Sequence, residues 1–184
     1  MRLALVGLPG CGKSTIGRQL AHRLALSYVD SDTEIEAELG MPIRAYFEKH
    51  GEAAFRDVEQ AVLRQLCERD DLVLATGGGA VLRPDNRKVL KHACTVVYLR
   101  ASPEDLWRRL RHDTKRPLLQ VPDGLARLQS LAREREPLYQ EIADVVVDTG
   151  RPSVRNITNI IAMQVELAEP KKRPSQSEAD AEKS

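Results

Sequence analysis

The stretch "RLALVGLPGCGKST", residues 2–15, joins an apolar run to a glycine-rich turn. The apolar run Arg2–Gly7 predicts a buried strand. The next residues, Gly7–Ser14, match the G-x-x-x-x-G-K-[S/T] pattern of a phosphate-binding loop. In such loops backbone N–H groups surround phosphate oxygens, and the N-terminus of the following helix adds positive potential. The stretch therefore predicts a nucleotide site between a strand and a helix, and the alternative is a plain glycine-rich turn.

Several residues of this loop are expected to contact the nucleotide. Lys13 should reach the β- and γ-phosphates, and Ser14 should be a ligand of Mg²⁺. The predicted ATP-binding residues of the loop are Gly10, Cys11, Gly12, Lys13, Ser14 and Thr15. Cys11 is expected to be an exposed and reactive thiol, because Lys13 and the helix N-terminus would stabilise its thiolate. The alternative is that the Cys11 side chain points into the core and is inert.

Strands and helices alternate along the rest of the chain. Apolar runs predict four more strands, at Leu26–Asp30, Leu72–Thr76, Cys94–Leu99 and Asp144–Thr149. Helical patterns occur at Ser14–Leu24, 33–40, 43–51, Glu52–Arg69, from Ser102 onward, at Leu125–Ala143 and at Val154–Leu167. Residues 111–124 have no periodicity and are expected to form a loop. This alternation predicts an α/β fold with a parallel sheet covered by helices on both faces.

Composition sets limits on the class of protein. The chain of 184 residues favours one domain, at residues 1–167, followed by a polar tail at 168–184 that is expected to be disordered. A formal net charge of +1 argues against a nucleic-acid partner. No run is long enough to span a bilayer, and no signal peptide is expected. Three scattered cysteines, Cys11, Cys67 and Cys94, favour reduced thiols in a cytoplasmic protein.

A pair of carboxylates follows the second predicted strand. Asp30 and Asp32 should face the same crevice as the phosphate loop, since ligands gather at the carboxyl ends of parallel strands. Phosphoryl transfer to an alcohol needs an anchor for Mg²⁺ and a group that accepts or orients the hydroxyl proton. Two acids at one strand end can divide those roles. The alternative is that they only cap the helix that follows.

Two further segments suggest a small polar acceptor. "FRDVE" places Arg56 and Glu59 on one helical face, either as an intrahelical ion pair or as a clamp for a substrate carboxylate. "TGGGAVL" places Gly77–Gly79 at the end of the third strand. Consecutive glycines lose much backbone entropy on folding, so their bare backbone must be needed. Their N–H groups are expected to approach the substrate closely.

Taken together, these motifs resemble the shikimate kinase family. The segments "GLPGCGKSTIGRQLA", "DSDTEIE", "FRDVE", "TGGGAVL", "RPLL" and "REREPLY" occur in the order and spacing of that family, from about residue 2 to residue 165. The resemblance implies a P-loop kinase of the nucleoside-monophosphate-kinase type with a five-stranded parallel sheet. It also implies an ATP-dependent, Mg²⁺-requiring transfer of phosphate to the 3-hydroxyl of shikimate, in chorismate biosynthesis, by a monomer.

The same resemblance implies roles for individual residues. Asp30 would position Mg²⁺ through water, and Asp32 would hold the shikimate hydroxyls and act as the base. The implied substrate contacts are Arg56 and Arg135 at the carboxylate, with Glu59 steering Arg56, Gly77, Gly78 and Gly79 at the hydroxyls, and Phe47 and Phe55 beside the ring. Arg116, in a mobile lid, would move onto the transferred phosphate and complete the catalytic set with Lys13 and Asp32. Arg109 and Arg151 match adenine-contacting positions.

Three other functions are compatible with the phosphate loop. A gluconate kinase would keep this loop but would not need "TGGGA" together with "FRDVE". A nucleotide-dependent switch or nucleic-acid-binding ATPase would bind ATP without rapid turnover of a small alcohol, and its binding to nucleic acid would depend on salt. An inactive homologue is the third alternative, although every expected polar group is present in the sequence.

Overall fold

The fold is a single parallel sheet surrounded by helices. The computed structural model describes residues 1–111 and 123–168 of the chain. The strands are β1 (Arg2–Val6), β2 (Ser27–Asp30), β3 (Leu72–Ala75), β4 (Thr95–Arg100) and β5 (Val145–Asp148). They form a sheet of five strands in the order β2-β3-β1-β4-β5, with parallel pairing throughout. This confirms the predicted α/β fold and its five-stranded parallel sheet.

Seven helices connect or flank these strands in the described residues. They are α1 (Lys13–Leu24), α2 (Ser31–Leu39), α3 (Ile43–Glu68), α4 (Pro84–Ala93), α5 (Pro103–Leu110), α6 (Gly124–Ile142) and α7 (Val154–Leu167), with a short 3₁₀ helix at Ala80–Leu82. Helix α1 packs against α7, α3 against α4, and α5 against α6. The apolar faces of these helices bury the sheet.

The central strands are apolar on both faces because both faces are covered. Residues Leu3–Val6 of β1 are fully buried, as are Val73 and Leu74 of β3. The register pairs Leu5 with Ala75, and Ala75 with Asp30. The carboxyl ends of β1, β2 and β3 therefore lie side by side, which brings the segments after these strands into one region.

Two details of the helices test the sequence analysis. The span of α3 is interrupted at Gly51, whose φ of 83° and ψ of 174° are not helical, so the two predicted helices 43–51 and Glu52–Arg69 are confirmed as separate segments. Helix α4 was not predicted. Its start carries Pro84 and then Asp85, which favour a helix N-terminus, but its buried positions include the polar Asn86 and give only a short apolar pattern.

Two predicted segments fall outside the described residues for most of their length. These are the loop predicted at 111–124 and the disordered tail predicted at 168–184. Among the helices of the described ranges, none has the length and apolar content that crossing a bilayer requires.

Candidate functional site

The candidate site is a cavity of about 680 Å³ at the carboxyl ends of β1, β2 and β3. It brings together the phosphate loop, the Asp30–Asp32 segment and the glycine triplet, as the sequence predicted. Its lining residues are Pro9, Gly10, Gly12, Lys13, Ser14, Thr15, Asp30, Asp32, Thr33, Glu36, Ala75, Thr76, Gly77, Gly78 and Leu110. The lining thus combines the glycine-containing phosphate loop with the acidic side chains of Asp30, Asp32 and Glu36.

The phosphate loop has the backbone that its glycines allow. Gly10 and Gly12 adopt φ of 84° and 101°, which side-chain-bearing residues rarely tolerate. Gly12 precedes α1 and makes no side-chain cap, so the first N–H groups of α1 stay available to a ligand. The ammonium of Lys13 donates to the carbonyl oxygens of Gly7, at 2.7 Å, and Leu8, at 3.1 Å. These features form an anion-binding concavity at a helix N-terminus.

The predicted exposure of Cys11 is wrong. Its side chain is only 1% exposed, and a Cβ on Gly7 would stand 2.7 Å from its Sγ, so the thiol is packed inside the loop. Cys67 and Cys94 are buried too, and their mutual hydrogen bond, with burial, raises the pKa of Cys67. The alternative that the Cys11 side chain points into the core therefore holds, and its Sγ accepts a contact from Nζ of Lys13 at 3.5 Å. The side chains of Ser14 and Thr15, by contrast, are exposed at the cavity.

Asp30 and Asp32 differ in their interactions, and the sequence did not show which of them caps the following helix. Asp30 caps α2, with Oδ1 accepting hydrogen bonds from the N–H groups of Asp32, at 2.9 Å, and Thr33, at 3.3 Å. Asp32 lies in the first turn of α2. Burial, with added repulsion from Asp30 and Glu59, raises the pKa of Asp32 from 3.8 to about 6, although Lys13 opposes this shift. A carboxyl with such a pKa can exchange a proton near neutral pH.

Each glycine of the triplet lies against a different charged side chain. A Cβ on Gly77 would stand 2.7 Å from Oδ1 of Asp32, one on Gly78 would stand 3.2 Å from Nη1 of Arg135, and one on Gly79 would stand 2.5 Å from Nη1 of Arg56. None of these glycines has a positive φ. The side chains of Asp32, Arg135 and Arg56 thus occupy the space that Cβ atoms on these three glycines would need.

Arg56 and Glu59 form a close pair, at 2.8 Å between Nη1 and Oε1. Glu59 is 1% exposed, and burial raises its pKa while the Arg56 guanidinium opposes that shift. The Nε atoms of Arg56 and Arg135 are buried, and within residues 1–111 and 123–168 they make no hydrogen bond. A buried N–H donor without an acceptor is costly, so both guanidinium groups retain capacity for an anionic ligand. The Arg56–Glu59 ion pair is therefore compatible with a role of Arg56 as a clamp for a substrate carboxylate.

Aromatic rings lie beside this arginine pair. The rings of Phe47 and Phe55 are 5.0 Å apart between centroids, and the Arg56 guanidinium lies over the Phe55 ring at 5.2 Å. Phe55 is buried and Phe47 is partly exposed. This pair gives the region of Arg56 an apolar wall.

The remaining predicted residues have different positions. Arg109, on α5, donates to the carbonyl oxygens of Gly10, at 3.3 Å, and Thr149, and so links the phosphate loop to the segment after β5. Arg151 is exposed in that segment. Arg116 lies outside the described residues.

Sequence reasoning missed two hydroxyl groups at the site. Oγ of Ser31, between the two aspartates, accepts a hydrogen bond from the N–H of Gly77 at 3.1 Å. The hydroxyl of Tyr139, one helical turn after Arg135, donates to the carbonyl oxygen of Gly78 at 2.6 Å. Both residues were inside quoted motifs, but a spacing does not reveal which hydroxyl reaches which peptide group.

The residues also fit a magnesium ion. Mg²⁺ takes hard oxygen ligands and usually keeps several waters and substrate phosphates among them. Ser14 and Asp30 both line the cavity, and the capping hydrogen bonds of Asp30 use only its Oδ1. In the described part of the chain there is no cluster of three or more His, Cys, Asp or Glu side chains able to hold a metal alone.

Comparisons with known proteins agree with this site. A family model described as shikimate kinase matches residues 9–166. A shikimate kinase of Cupriavidus pinatubonensis is 54% identical over 166 residues, which cover 90% of this chain and 86% of that protein. The structure of shikimate kinase from Acinetobacter baumannii in complex with shikimate superposes with a TM-score of 0.85 at 42% identity, and covers 90% of this chain and 92% of that one.

A more distant structure shares the fold alone. A gluconokinase from Sinorhizobium meliloti superposes with a TM-score of 0.59 at 19% identity over 90% of this chain and 95% of that one. The family match, the identity to the Cupriavidus protein and the placement of the predicted motifs around one cavity all agree. On this evidence the chain belongs to the shikimate kinase family.

Proposed function

We propose that this chain transfers the γ-phosphoryl group of ATP to the 3-hydroxyl of shikimate, in the pathway to chorismate. The observation that carries this proposal concerns the glycine triplet beside the phosphate loop. The side chains of Asp32, Arg135 and Arg56 lie against Gly77, Gly78 and Gly79, respectively. A proton acceptor and two guanidinium groups at neighbouring positions suit a hydroxylated carboxylate. The complex of the Acinetobacter enzyme with shikimate supports the same acceptor.

The phosphate loop would bind ATP. The N–H groups at the start of α1 would hold phosphate oxygens, and Lys13 would exchange its contacts with the Gly7 and Leu8 carbonyls for contacts with the phosphates. Ser14, and Asp30 through water, would hold Mg²⁺. When bound, this ion would neutralise charge on the transferred phosphoryl group. The loop residues Gly10, Cys11, Gly12 and Thr15 would contribute backbone or side-chain contacts, with Cys11 acting through its backbone because its thiol is buried.

Asp32 would take the proton of the acceptor hydroxyl. A base is most effective when its pKa lies near the working pH, and the raised pKa of Asp32, about 6, brings this carboxyl toward neutrality. Asp32 and Lys13 both line the same cavity, and the Lys13 ammonium partly opposes the rise in the pKa of Asp32. A phosphoryl group bound at the loop and a hydroxyl held by Asp32 would therefore meet between them.

Arg56 and Arg135 would grip the carboxylate of the acceptor. Their buried Nε atoms, which make no hydrogen bond among the described residues, support this role, and Glu59 would orient Arg56 through their 2.8 Å contact. Phe47 and Phe55 would pack against the shikimate ring. The N–H group of Gly77 is used by Ser31. The N–H groups of Gly78 and Gly79, which make no hydrogen bond in residues 1–111 and 123–168, would be the donors to substrate hydroxyls.

Three arginines would act on the nucleotide side. Arg109, which donates to the Gly10 and Thr149 carbonyls, and Arg151, which follows β5, would contact the adenine. Arg116 would reach the transferred phosphate from a lid that excludes water.

The proposal extends to the state of the protein in the cell. We propose a cytoplasmic monomer with no membrane or nucleic-acid partner. Cys11, Cys67 and Cys94, all within the described residues, form no disulfide there, which is typical of a reducing compartment and supports this location. Light scattering of the purified chain would test the monomer.

A coupled ADP-release assay tests the acceptor. The purified chain with Mg·ATP would be offered shikimate, quinate, gluconate or no acceptor. The proposal predicts saturable ADP release with shikimate and little release in the other three reactions. Comparable turnover with gluconate would favour a different sugar-acid kinase. Equal release without any acceptor would indicate an ATPase.

A further inference from the structure

The glycine triplet is fixed at the two peptide groups that flank the Gly77–Gly78 peptide, by side chains from two separate helices. Tyr139 of α6 is 0% exposed, and its hydroxyl donates to the Gly78 carbonyl at 2.6 Å. Ser31, also 0% exposed, accepts from the Gly77 N–H at 3.1 Å at the start of α2. These hydrogen bonds hold the two sides of the triplet at once.

The same contacts join the triplet to the substrate-binding arginine of α6. Arg135 and Tyr139 are four residues apart on one face of α6, and the Arg135 guanidinium lies at Gly78, where a Cβ would be 3.2 Å from its Nη1. Pro9 of the phosphate loop lies on the same glycine, 3.4 Å from that Cβ position. Gly78 is therefore the point where α6, the phosphate loop and the triplet meet.

The remaining polar groups of the triplet are the carbonyls of Gly77 and Gly79 and the N–H groups of Gly78 and Gly79. The carbonyls of Gly77 and Gly79 accept from Ala80 and Leu82 in the short 3₁₀ helix, at 3.1 Å each. Among the described residues, the N–H groups of Gly78 and Gly79 are left as the donors that no protein acceptor uses. A peptide plane held at its carbonyl by Tyr139 fixes the direction of the next N–H group, that of Gly79, because the peptide unit is planar.

We infer that Tyr139 and Ser31 are positioning residues of the acceptor subsite, which hold the triplet so that the Gly78 and Gly79 N–H groups point at the substrate. This inference rests on the proposed function for the identity of the substrate, but the anchoring of the loop does not depend on it. Neither hydroxyl has to touch the acceptor. The effect of Ser31 is transmitted through the backbone of Gly77. The effect of Tyr139 is transmitted through the backbone of Gly78 and also through its side-chain contact with Arg135, so Ser31→Ala is the variant that isolates the backbone effect.

The test compares Tyr139→Phe and Ser31→Ala with Tyr98→Phe. The Tyr98 ring packs on the Tyr139 ring, at 5.2 Å between centroids, and is 2% exposed, so Tyr98→Phe removes a hydroxyl from the same aromatic cluster without touching the triplet. Binding of shikimate and of Mg·ATP is measured by calorimetry. Amide hydrogen exchange is followed in the peptide that contains Gly77–Ala80.

Leaving a buried carbonyl or N–H unpaired should weaken shikimate binding about five-fold or more in Tyr139→Phe and in Ser31→Ala. Mg·ATP affinity should change less than about two-fold, because the loop at Gly10–Thr15 keeps its contacts. Exchange in the triplet should accelerate about ten-fold in both variants, since a local opening becomes easier. Tyr98→Phe should match the unsubstituted protein in all three measurements.

Two results would overturn the inference. One is unchanged exchange in the triplet of both variants. The other is an equal effect of Tyr98→Phe, which would assign the change to the aromatic cluster rather than to the hydroxyl. If the unsubstituted chain fails to bind shikimate, the proposed acceptor is wrong, and the exchange comparison still decides whether Tyr139 and Ser31 anchor the triplet.

Discussion

Gly79 lies directly against the guanidinium group of Arg56, so that a Cβ on Gly79 would stand 2.5 Å from Nη1 and 2.7 Å from Cζ. Arg56 cannot retreat freely, because its Nη1 is held by the buried Glu59 carboxylate at 2.8 Å and its guanidinium covers the Phe55 ring. Nη2 of Arg56 also pairs with the exposed Glu52 carboxylate at 3.3 Å. The position of Arg56 therefore depends on two carboxylates, the Phe55 ring and the absence of a side chain at Gly79.

The substitution Gly79→Ala should displace Arg56. The backbone of Gly79, with φ of −91°, tolerates alanine, so the defect should come from the clash and not from backbone strain. We expect shikimate affinity to fall about ten-fold or more, since overpacking by one methyl group typically costs about 1–3 kcal/mol. Calorimetry with shikimate and with Mg·ATP measures both affinities. Unchanged shikimate affinity would show that Arg56 adapts without loss.

Removal of the guanidinium itself should have a larger effect on the acceptor. Arg56→Ala leaves the substrate carboxylate unpaired, with an expected loss of about 2–5 kcal/mol in shikimate binding and little change in ATP binding. Arg64→Ala is the matched control, because Arg64 lies on the same helix in an exposed ion pair with Asp85. Near-normal shikimate affinity of Arg56→Ala in a calorimetric titration would exclude the carboxylate role.

Asp32→Asn should fold and turn over slowly. An amide of the same shape cannot accept the hydroxyl proton, and loss of a general base typically costs about 10²–10⁴ in rate. Steady-state kinetics at saturating shikimate and Mg·ATP measure kcat. Asp85→Asn, at an exposed site on α4, should retain normal kcat. An Asp32→Asn enzyme with most of its kcat would reduce Asp32 to a residue that only positions the substrate.

The same substitution should stabilise the protein at neutral pH. The native pKa of Asp32, about 6, exceeds its ordinary value of 3.8, so the native state binds the proton more tightly than the unfolded state between these values. The ionised carboxylate therefore lowers the free energy of unfolding above about pH 6, and this cost disappears as the pH falls below about 4.

Urea denaturation at about pH 7.5 and at about pH 4 measures this linkage. We expect Asp32→Asn to exceed the unsubstituted protein by about 1–2 kcal/mol at the higher pH, after allowance for solvent screening, and to lose this advantage at the lower pH. An advantage that stays constant with pH would show that the pKa of Asp32 is not raised in the native state.

Much of the fold and of the site follows from local patterns. The five strands are predictable from short apolar runs because a parallel sheet buried on both faces requires them. The phosphate loop and Asp30–Asp32 are predictable because each motif sits at a strand end, and parallel pairing brings those ends together. Helix α4 was missed because its inward face is short and includes Asn86, which bonds the Ala80 carbonyl.

Other features depend on three-dimensional placement that the sequence does not reveal. The direction of the Cys11 side chain is decided by the path of the loop around Gly7, and local electrostatics predicted the wrong outcome. The sequence predicted that the N–H groups of the glycine triplet contact the substrate. It did not reveal that Asp32, Arg135 and Arg56, which come from distant parts of the chain, lie against the triplet. The roles of Ser31 and Tyr139 arise from the same long-range packing.

The most direct measurement is the identity of the phosphorylated product. The chain would be incubated with Mg·ATP and shikimate, and the product would be examined by phosphorus–proton correlation NMR. We expect one new phosphate ester whose phosphorus couples to the proton on carbon 3 of shikimate, formed together with ADP. Coupling to a different ring proton, or release of inorganic phosphate with shikimate unchanged, would contradict it.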